Sequence, residues 1–350
     1  MSIYSSFMGP CKWLSGILAK GTAFFVILTA VFTFFVPSAF TWVAGNTQTV
    51  ILGVIMLSMG LTLGKQDFVI LAKRPFDIFV GAIGQFTIMP FLAWIITRIF
   101  NLPSDLAVGL ILVGCVPGGV SSNIMSFLCH GDLAFSVGMT TASTLIAPFM
   151  TPLLIGFLCS GQHVDVDPMG MITFLLYVTI IPVALGTILN MTLSHRKSFA
   201  DIKACMPGVS VIGLACIIGG VVAYHGDKFV SMGLLVFCCI FFHNALGYCL
   251  GYCLGIIFKF NTAKKRTISI EVGVQNAGLG TGLAGKFFPQ LPGAAVATAV
   301  ACVWHSISGT ILANLYALSD KNGATADAAA EAGKPAEESV SEEKPLKAGA

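Results

Sequence analysis

The chain has 350 residues, of which 56% are hydrophobic and only 10% are charged, and its mean hydropathy is +0.88. A water-soluble domain carries about 25% charged residues, and its core could not hide this surplus of apolar side chains, so lipid must be part of the solvent. The net charge of +3, without a basic stripe interleaved with aromatic residues, argues against a nucleic-acid partner. The composition therefore predicts an all-α polytopic membrane protein whose partners include the lipid bilayer.

From the N-terminus, residues 1–19 are predicted to be a cytoplasmic segment, because Lys12 and Lys20 precede the first apolar run and no clear cleavage site follows. Residues 20–318 are predicted to form the membrane unit. Residues 319–350 are predicted to be a disordered cytoplasmic tail, since they contain almost no large apolar side chains. Runs of about 20 apolar residues predict ten transmembrane helices within the unit. They lie at about 20–40, 46–64, 75–100, 104–128, 132–160, 168–192, 205–224, 229–257, 266–286 and 292–317.

The distribution of basic residues predicts the orientation of these helices. Lysine and arginine are enriched in cytoplasmic loops. With the N-terminus inside, the inner loops hold clusters such as Lys73-Arg74 and Lys264-Lys265-Arg266, whereas the outer loops hold only Arg98, Lys228 and Lys286. Both termini are therefore predicted to be cytoplasmic. The protein is predicted to be a multi-pass protein of the inner (plasma) membrane.

Two of the predicted helices are interrupted at corresponding places. Ten helices divide into two sets of five, and the fourth helix of each set carries a Gly-rich polar break, CVPGGVSSNIM at 115–125 and EVGVQNAGLG at 271–280. Because five is odd, the second set enters the membrane with the opposite orientation. Paired breaks in two inverted repeats indicate the binding site of a secondary transporter. We expect the two broken helices to cross, with their half-helix N-termini facing an anionic substrate. Close packing of small residues is the alternative explanation.

The first break contains Asn123, and the second contains Glu271. No other glutamate precedes Glu271, and the next one in the chain is Glu331. A carboxylate at the centre of a bilayer costs at least about 2.5–3.5 kcal/mol, so it persists there when it is neutralised by a cation or carries protons. Gln275 lies one helical turn beyond Glu271, and Gln85, Ser122 and Asn123 supply further neutral oxygens. Oxygen ligands around one carboxylate suit a hard cation of low charge. A proton site remains the alternative.

Several motifs together resemble those of the bile acid:sodium symporter family. They are GAIGQFTIMP (81–90), GCVPGGVSSNIMSFL (114–128), DLAFSVGMTTASTLIAP (132–148), SIEVGVQNAGL (269–279) and VWHSISG (303–309). The resemblance covers residues 20–317 and implies a panel of helices 1, 2, 6 and 7 and a core of helices 3–5 and 8–10.

The resemblance also implies two sodium sites. Carried over by motif, one comprises Ser122, Asn123, Ser136, Thr140 and Glu271, and the other comprises Gln85, Glu271, Gln275 and the backbone carbonyls of Val272 and Val274. Ser136 and Thr140 are one helical turn apart and so share a face. The alternative for both hydroxyls is a hydrogen bond to a carbonyl of their own helix. Ser121, Asn276 and His305 are candidates for binding the substrate. A neutral packing residue is the alternative interpretation of His305. His243 and Asn244 are expected to form structural hydrogen bonds.

The leading interpretation is a sodium-coupled symporter that imports an organic anion, bile acid-like or a small carboxylate such as pantoate, by alternating access. It needs no cofactor beyond sodium as the coupling ion. A proton-coupled carrier that titrates Glu271 is the first alternative. An intramembrane enzyme is disfavoured, because the apolar segments contain neither a Gly-x-Ser-x-Gly elbow nor a His-Glu-x-x-His motif.

Overall fold

The computed structural model of the chain describes residues 3–162 and 164–332, with side chains over 8–162 and 164–319. Over these residues the chain folds into α-helices linked by short turns, and the helices are numbered here in chain order. They are α1 Ile3–Lys20, α2 Thr22–Phe35, α3 Asn46–Thr62, α4 Lys65–Lys73, α5 Pro75–Ile99, α6 Ser104–Cys115, α7 Ser121–Leu128, α8 Leu133–Leu158, α9 Pro168–Leu175, α10 Ile181–Leu193, α11 Lys197–Ile257, α12 Thr262–Gly273, α13 Ala277–Phe287 and α14 Pro292–Ala332.

Length and composition identify which of these helices are able to cross a membrane. Within the described residues, five helical segments are long and apolar enough, and the number rises to seven if each of two bent pairs counts as one span. The bent pairs are α1 with α2, at 83°, and α3 with α4, at 75°. A π-helical turn at Leu176–Ile180 joins α9 to α10, so these two form a single segment. The prediction of an all-helical polytopic membrane protein is confirmed at this level.

Helix α11 differs from the sequence prediction, which placed two helices at 205–224 and 229–257. The structure has 61 helical residues in one element, interrupted only at His225, where φ is −130° and ψ is 22°. The change of direction between the two predicted helices is thus made by one residue rather than by a loop. Gly226 and Asp227, which the sequence suggested as loop residues, continue the helix.

The predicted N-terminal segment contains α1, which packs against the beginning of α11. Ser15 joins the two helices, because its hydroxyl oxygen accepts a hydrogen bond from the Gly208 backbone N–H at 2.9 Å. Lys12 forms an ion pair with Asp201. At the other end of the chain, α14 continues to Ala332, so the predicted boundary at 318 falls inside a helix. The tail prediction for residues 333–350 lies outside the described residues.

The two predicted breaks separate α6 from α7 and α12 from α13. Val116 and Val274 have extended backbone conformations where the helices α6 and α12 end. Pro117 follows Val116 and has no backbone N–H with which to continue the helical ladder. After the second break, the Asn276 side chain caps α13 by accepting a hydrogen bond from the Leu279 N–H at 3.2 Å. Both interruptions therefore fall at the predicted residues.

Candidate ion and substrate site

The two helix breaks contact each other through their backbones. Gly118 and Gln275 face each other as an antiparallel β-bridge. The Gly119 N–H donates to the Val274 carbonyl at 2.9 Å, and the Asn276 N–H donates to the Pro117 carbonyl at 2.8 Å. A broken helix leaves backbone polar groups that lipid cannot satisfy. Here each break satisfies groups of the other, which explains why the two interruptions occur together.

This contact requires a residue without a side chain at position 119. A Cβ atom on Gly119 would lie 2.9 Å from the Gln275 carbonyl oxygen, a backbone atom that cannot rotate away. We therefore expect Gly119→Ala to force the two breaks apart and to lower the free energy of unfolding by about 1–3 kcal/mol. Thermal unfolding in detergent measures this change. Gly53→Ala is the matched control, because a Cβ atom there meets nothing within 4 Å. Equal stability of the two variants would contradict the expectation.

The Glu271 side chain, which is 1% exposed, lies beside this contact. One carboxylate oxygen accepts hydrogen bonds from the hydroxyls of Ser122, at 2.5 Å, and of Ser136. The other oxygen accepts from the Thr140 hydroxyl at 2.9 Å. The Asn123 side-chain oxygen lies 2.8 Å from the Ser136 hydroxyl and 3.4 Å from that of Thr140. All five residues predicted for the first sodium site therefore lie together.

This group, the Glu271 cluster, has more acceptor oxygens than protons. Each hydroxyl has one proton to donate. Ser122 nevertheless lies within hydrogen-bonding distance of two acceptors, Glu271 and the Gly119 carbonyl, and Ser136 also faces two. Thr140 faces three acceptor oxygens, those of Glu271, Asn123 and the Ser136 carbonyl. Close oxygens that lack protons between them repel one another, and a buried anion is stable only when it is compensated. A small cation among these oxygens would both relieve their mutual repulsion and compensate the charge of the buried carboxylate.

The residues predicted for the second sodium site form an adjacent group. Gln85 donates from its amide to the Gln275 side-chain oxygen at 2.6 Å, and the Gln275 amide donates to the Val272 carbonyl at 2.6 Å. The Val274 carbonyl accepts instead from Gly119, across the contact between the breaks. The side-chain hydrogen bonds that Glu271 accepts come from Ser122, Ser136 and Thr140. The structure thus joins Gln85, Gln275 and Val272 directly, whereas Val274 and Glu271 bond to other partners.

A cavity of about 440 Å³ adjoins the contact, and Gly119 and Gln275 are among its lining residues. All three predicted substrate residues, Ser121, Asn276 and His305, line it, and so do Asn123 and Thr140 from the Glu271 cluster. Apolar residues of α3 and α11 form the opposite wall, among them Leu52, Met56, Met59, Val211 and Leu214. The cavity therefore lies between helices of the predicted panel and the polar face of the predicted core.

His305 is 2% exposed, and its ring is fixed by the second break. Its Nδ1 accepts a hydrogen bond from the Gln275 backbone N–H at 3.2 Å, which places the ring proton of the neutral imidazole on Nε2. Nε2 has no hydrogen-bond partner in the described part of the chain. The backbone N–H groups of Ser121 and Gly278, in the first turns of α7 and α13, likewise donate to no acceptor among the described residues. Ser121, Gly278 and His305 all line the cavity, so these three donors belong to residues of its wall.

Sequence reasoning missed further polar residues around the breaks. The Ser143 hydroxyl accepts a hydrogen bond from the Gly118 N–H at 3.3 Å, and Thr151 donates to the Cys115 carbonyl at 2.7 Å. Ser136, Thr140 and Ser143 follow one face of α8 at helical spacing, so this periodicity was the signal for Ser143. Thr151 lies further along an apolar helix, and no local pattern distinguishes it.

Two helix breaks in contact, a buried carboxylate beside them and an adjoining cavity are features of a helical membrane transporter. The model of the Sodium Bile acid symporter family matches residues 49–232. The chain is 41% identical over 291 residues to the uncharacterized sodium-dependent transporter YocS of Bacillus subtilis (strain 168). These residues are 83% of this chain and 89% of that protein. It is 39% identical over 280 residues to the probable chloroplastic sodium/metabolite cotransporter BASS1 of Oryza sativa subsp. japonica, covering 80% and 68% of the two chains.

The chain belongs to the sodium bile acid symporter family. This finding confirms the family that the sequence motifs indicated. It also confirms that the protein is a transporter and not an enzyme.

Proposed function

We propose that this protein is a symporter that imports an organic anion with sodium. The observation that carries the proposal is the Glu271 cluster, in which a buried carboxylate and its oxygen neighbours share too few protons. Hard cations favour oxygen ligands, and one carboxylate with several neutral oxygens suits a cation of low charge such as sodium. The proposed ligands of the first ion are Ser122, Asn123, Ser136, Thr140 and Glu271. A second ion lies near Gln85, Gln275 and the carbonyls of Val272 and Val274, with Glu271 between the two sites.

The lining of the cavity explains why the anion and the cation would move together. The described residues that line it include no lysine or arginine, and Asp67 is the one acidic residue among them. An anion there gains only partial positive charge, from the first turns of α7 and α13 and from the His305 Nε2–H. Asn123 and Thr140 face both the cavity and the Glu271 cluster. Sodium behind this wall therefore supplies the missing positive charge and orders the wall at the same time.

Ser121, Asn276 and His305 are the proposed substrate-binding residues. All three offer polar groups to one cavity, next to the free amides of the two helix breaks. A carboxylate or sulfonate on the substrate would accept hydrogen bonds from these groups, while its apolar part would contact Leu52, Met56 and Val211. A bile acid-like molecule and a smaller carboxylate such as pantoate both have this combination of groups.

The proposed architecture has ten spans in two inverted repeats. Helix α11 is about 90 Å long at 1.5 Å per residue, three times the thickness of the hydrocarbon core, and its kink at His225 divides it into two spans. The pairs α6–α7 and α12–α13 each count as one broken span. Both termini are then cytoplasmic and the protein resides in the plasma membrane. The cavity between panel and core suits alternating access, in which the panel moves relative to the core.

Uptake into proteoliposomes tests the coupling ion. Purified protein is reconstituted, and uptake of labelled pantoate and of a labelled bile acid is measured under an inward sodium gradient. A pH gradient without sodium is measured in parallel. We expect concentrative uptake of at least one anion with the sodium gradient and none with the pH gradient. Uptake driven by the pH gradient in sodium-free buffer would instead assign Glu271 to proton coupling.

A thermal-shift experiment identifies the anion independently of uptake. Ligands raise the unfolding temperature by mass action. Organic anions of both classes are screened in sodium and in choline chloride, and a substrate is expected to stabilise the protein only when sodium is present. An anion that stabilises equally in both salts would contradict the coupling derived from the cavity lining.

A further inference from the structure

The break between α12 and α13 turns three successive carbonyls toward three different donors. The Val272 carbonyl accepts from the Gln275 amide at 2.6 Å, and the Val274 carbonyl accepts from Gly119 at 2.9 Å. The Gly273 carbonyl between them accepts from the Asn244 amide of α11 at 2.9 Å. Two of the three donors thus belong to the helix breaks themselves, whereas Asn244 comes from a different helix.

Asn244 is held in one orientation by its neighbours. It is 1% exposed, and its side-chain oxygen accepts a hydrogen bond from the Ser308 hydroxyl of α14 at 2.6 Å. Because a carbonyl oxygen only accepts hydrogen bonds, the group of Asn244 that faces Gly273 must be the NH₂. The Ser308 oxygen lies 3.0 Å from the Tyr248 hydroxyl. This network joins α11, α12 and α14 at the second break.

Gly273 is also packed against the Tyr248 ring. A Cβ atom at position 273 would lie 2.2 Å from a ring carbon, so only glycine allows α11 to approach this closely. The close approach places the Asn244 amide at the Gly273 carbonyl. The ring and the amide therefore fix the peptide between Gly273 and Val274 from the same side.

We propose that Asn244 is a positioning residue for the second cation site. Successive carbonyls in extended backbone point in opposite directions, and Val274 is extended, with φ −93° and ψ 110°. By holding the Gly273 carbonyl toward α11, Asn244 leaves the Val274 carbonyl facing the opposite way, toward Gly119 and the second cation site. The inference rests on the proposed function, because it presumes that sodium is the ion bound there. Asn244 itself does not touch the ion.

The first break has a similar arrangement. The Gln85 amide of α5 lies 3.4 Å from the Val116 carbonyl, where α6 ends. In the proposed inverted repeats, α5 and the second part of α11 are the third spans of their halves, so each break receives a carboxamide from the equivalent span. Gln85 also bonds to Gln275, whereas Asn244 bonds to Ser308. Gln85 is therefore both a proposed sodium ligand and a partner of the first break, whereas Asn244 only positions the second break.

The test compares Asn244→Leu with His243→Leu in the full-length protein. Both remove a buried hydrogen bond made by α11, but His243 bonds to the Met89 carbonyl of α5 and not to a helix break. Thermal unfolding is followed while sodium chloride replaces choline chloride. We expect Asn244→Leu to raise the sodium concentration for half-maximal stabilisation about fivefold, the effect of about one hydrogen bond. His243→Leu is expected to lower the unfolding temperature without changing that concentration.

Ser308→Ala provides a second measurement should Asn244→Leu not fold. It leaves the Asn244 amide in place but removes the hydrogen bond that orients it, and a rise of about twofold is expected. An unchanged sodium concentration in the folded Asn244 and Ser308 variants, or an equal rise in His243→Leu, would overturn the inference. If the unsubstituted protein showed no stabilisation by sodium at all, the proposed function would fail instead.

Discussion

Glu271→Gln is expected to fold, to be more stable than the unsubstituted protein in sodium-free buffer, and to lose sodium-driven uptake. Glutamine preserves the size of the side chain but replaces a carboxylate oxygen with an NH₂ group. That group brings two protons to a cluster in which Ser122, Ser136 and Thr140 already face too many acceptors. The variant cluster no longer needs a cation, and the cost of burying a charge is removed.

The same change should weaken sodium binding severely. Removing one partner of a buried ion pair costs about 3–5 kcal/mol, which corresponds to a loss of affinity of roughly two to four orders of magnitude. Thermal unfolding at increasing sodium concentration measures the weaker sodium binding. Uptake in proteoliposomes separately measures the loss of coupled transport. The matched control is Asp77→Asn, since Asp77 is a partly buried carboxylate that pairs with Lys264 at 2.5 Å, away from the Glu271 cluster. Ordinary sodium dependence in Glu271→Gln would refute the assignment.

Thr140→Val should leave uptake intact at saturating sodium but raise the sodium concentration for half-maximal uptake by roughly 10- to 100-fold. The Thr140 hydroxyl lies 2.9 Å from Glu271 and 3.4 Å from the Asn123 oxygen, so its loss removes a neutral oxygen while the charge remains. Interactions of neutral groups with a charge contribute about 1.5–3 kcal/mol, which sets the expected range. Valine keeps the β-branched shape and so preserves the packing of α8.

Thr141→Val supplies the control for this prediction from the neighbouring position. Thr141 donates to the Val137 carbonyl of its own helix at 2.7 Å and takes no part in the Glu271 cluster. It also lines the cavity, so a change in cavity polarity alone would affect both variants. Equal effects of the two substitutions on the sodium requirement would show that the Thr140 hydroxyl is not an ion ligand.

Much of the candidate site was predictable because it depends on residues that are close together in the sequence. Proline and glycine within apolar segments gave the positions of both helix breaks, and a lone glutamate in such a segment had to have a compensating partner. The spacing of Ser136 and Thr140 gave a shared helical face. The motifs that contain these residues indicated the family, which the relatives confirm.

Other features were hidden because they depend on residues far apart in the chain. Asn244 was expected to form a structural hydrogen bond, but only the fold identifies the Gly273 carbonyl as its partner. The Val274 carbonyl was predicted as a sodium ligand, and only the contact between the breaks reveals that it also accepts a hydrogen bond from the Gly119 N–H. The kink at His225 replaces a predicted loop, and position 225 carries no proline that would have predicted a kink.

The sequence by itself determined that the protein is helical and embedded in lipid, that two helices are broken, and which oxygen-bearing residues are available to a cation. These properties follow from composition and from a period of 3.6 residues, both of which are local. Only the tertiary structure decided which oxygens meet. Ser122 and Glu271 are 149 positions apart, and no periodicity relates them. They are brought together because each break carries backbone groups that lipid cannot satisfy and that the other break can.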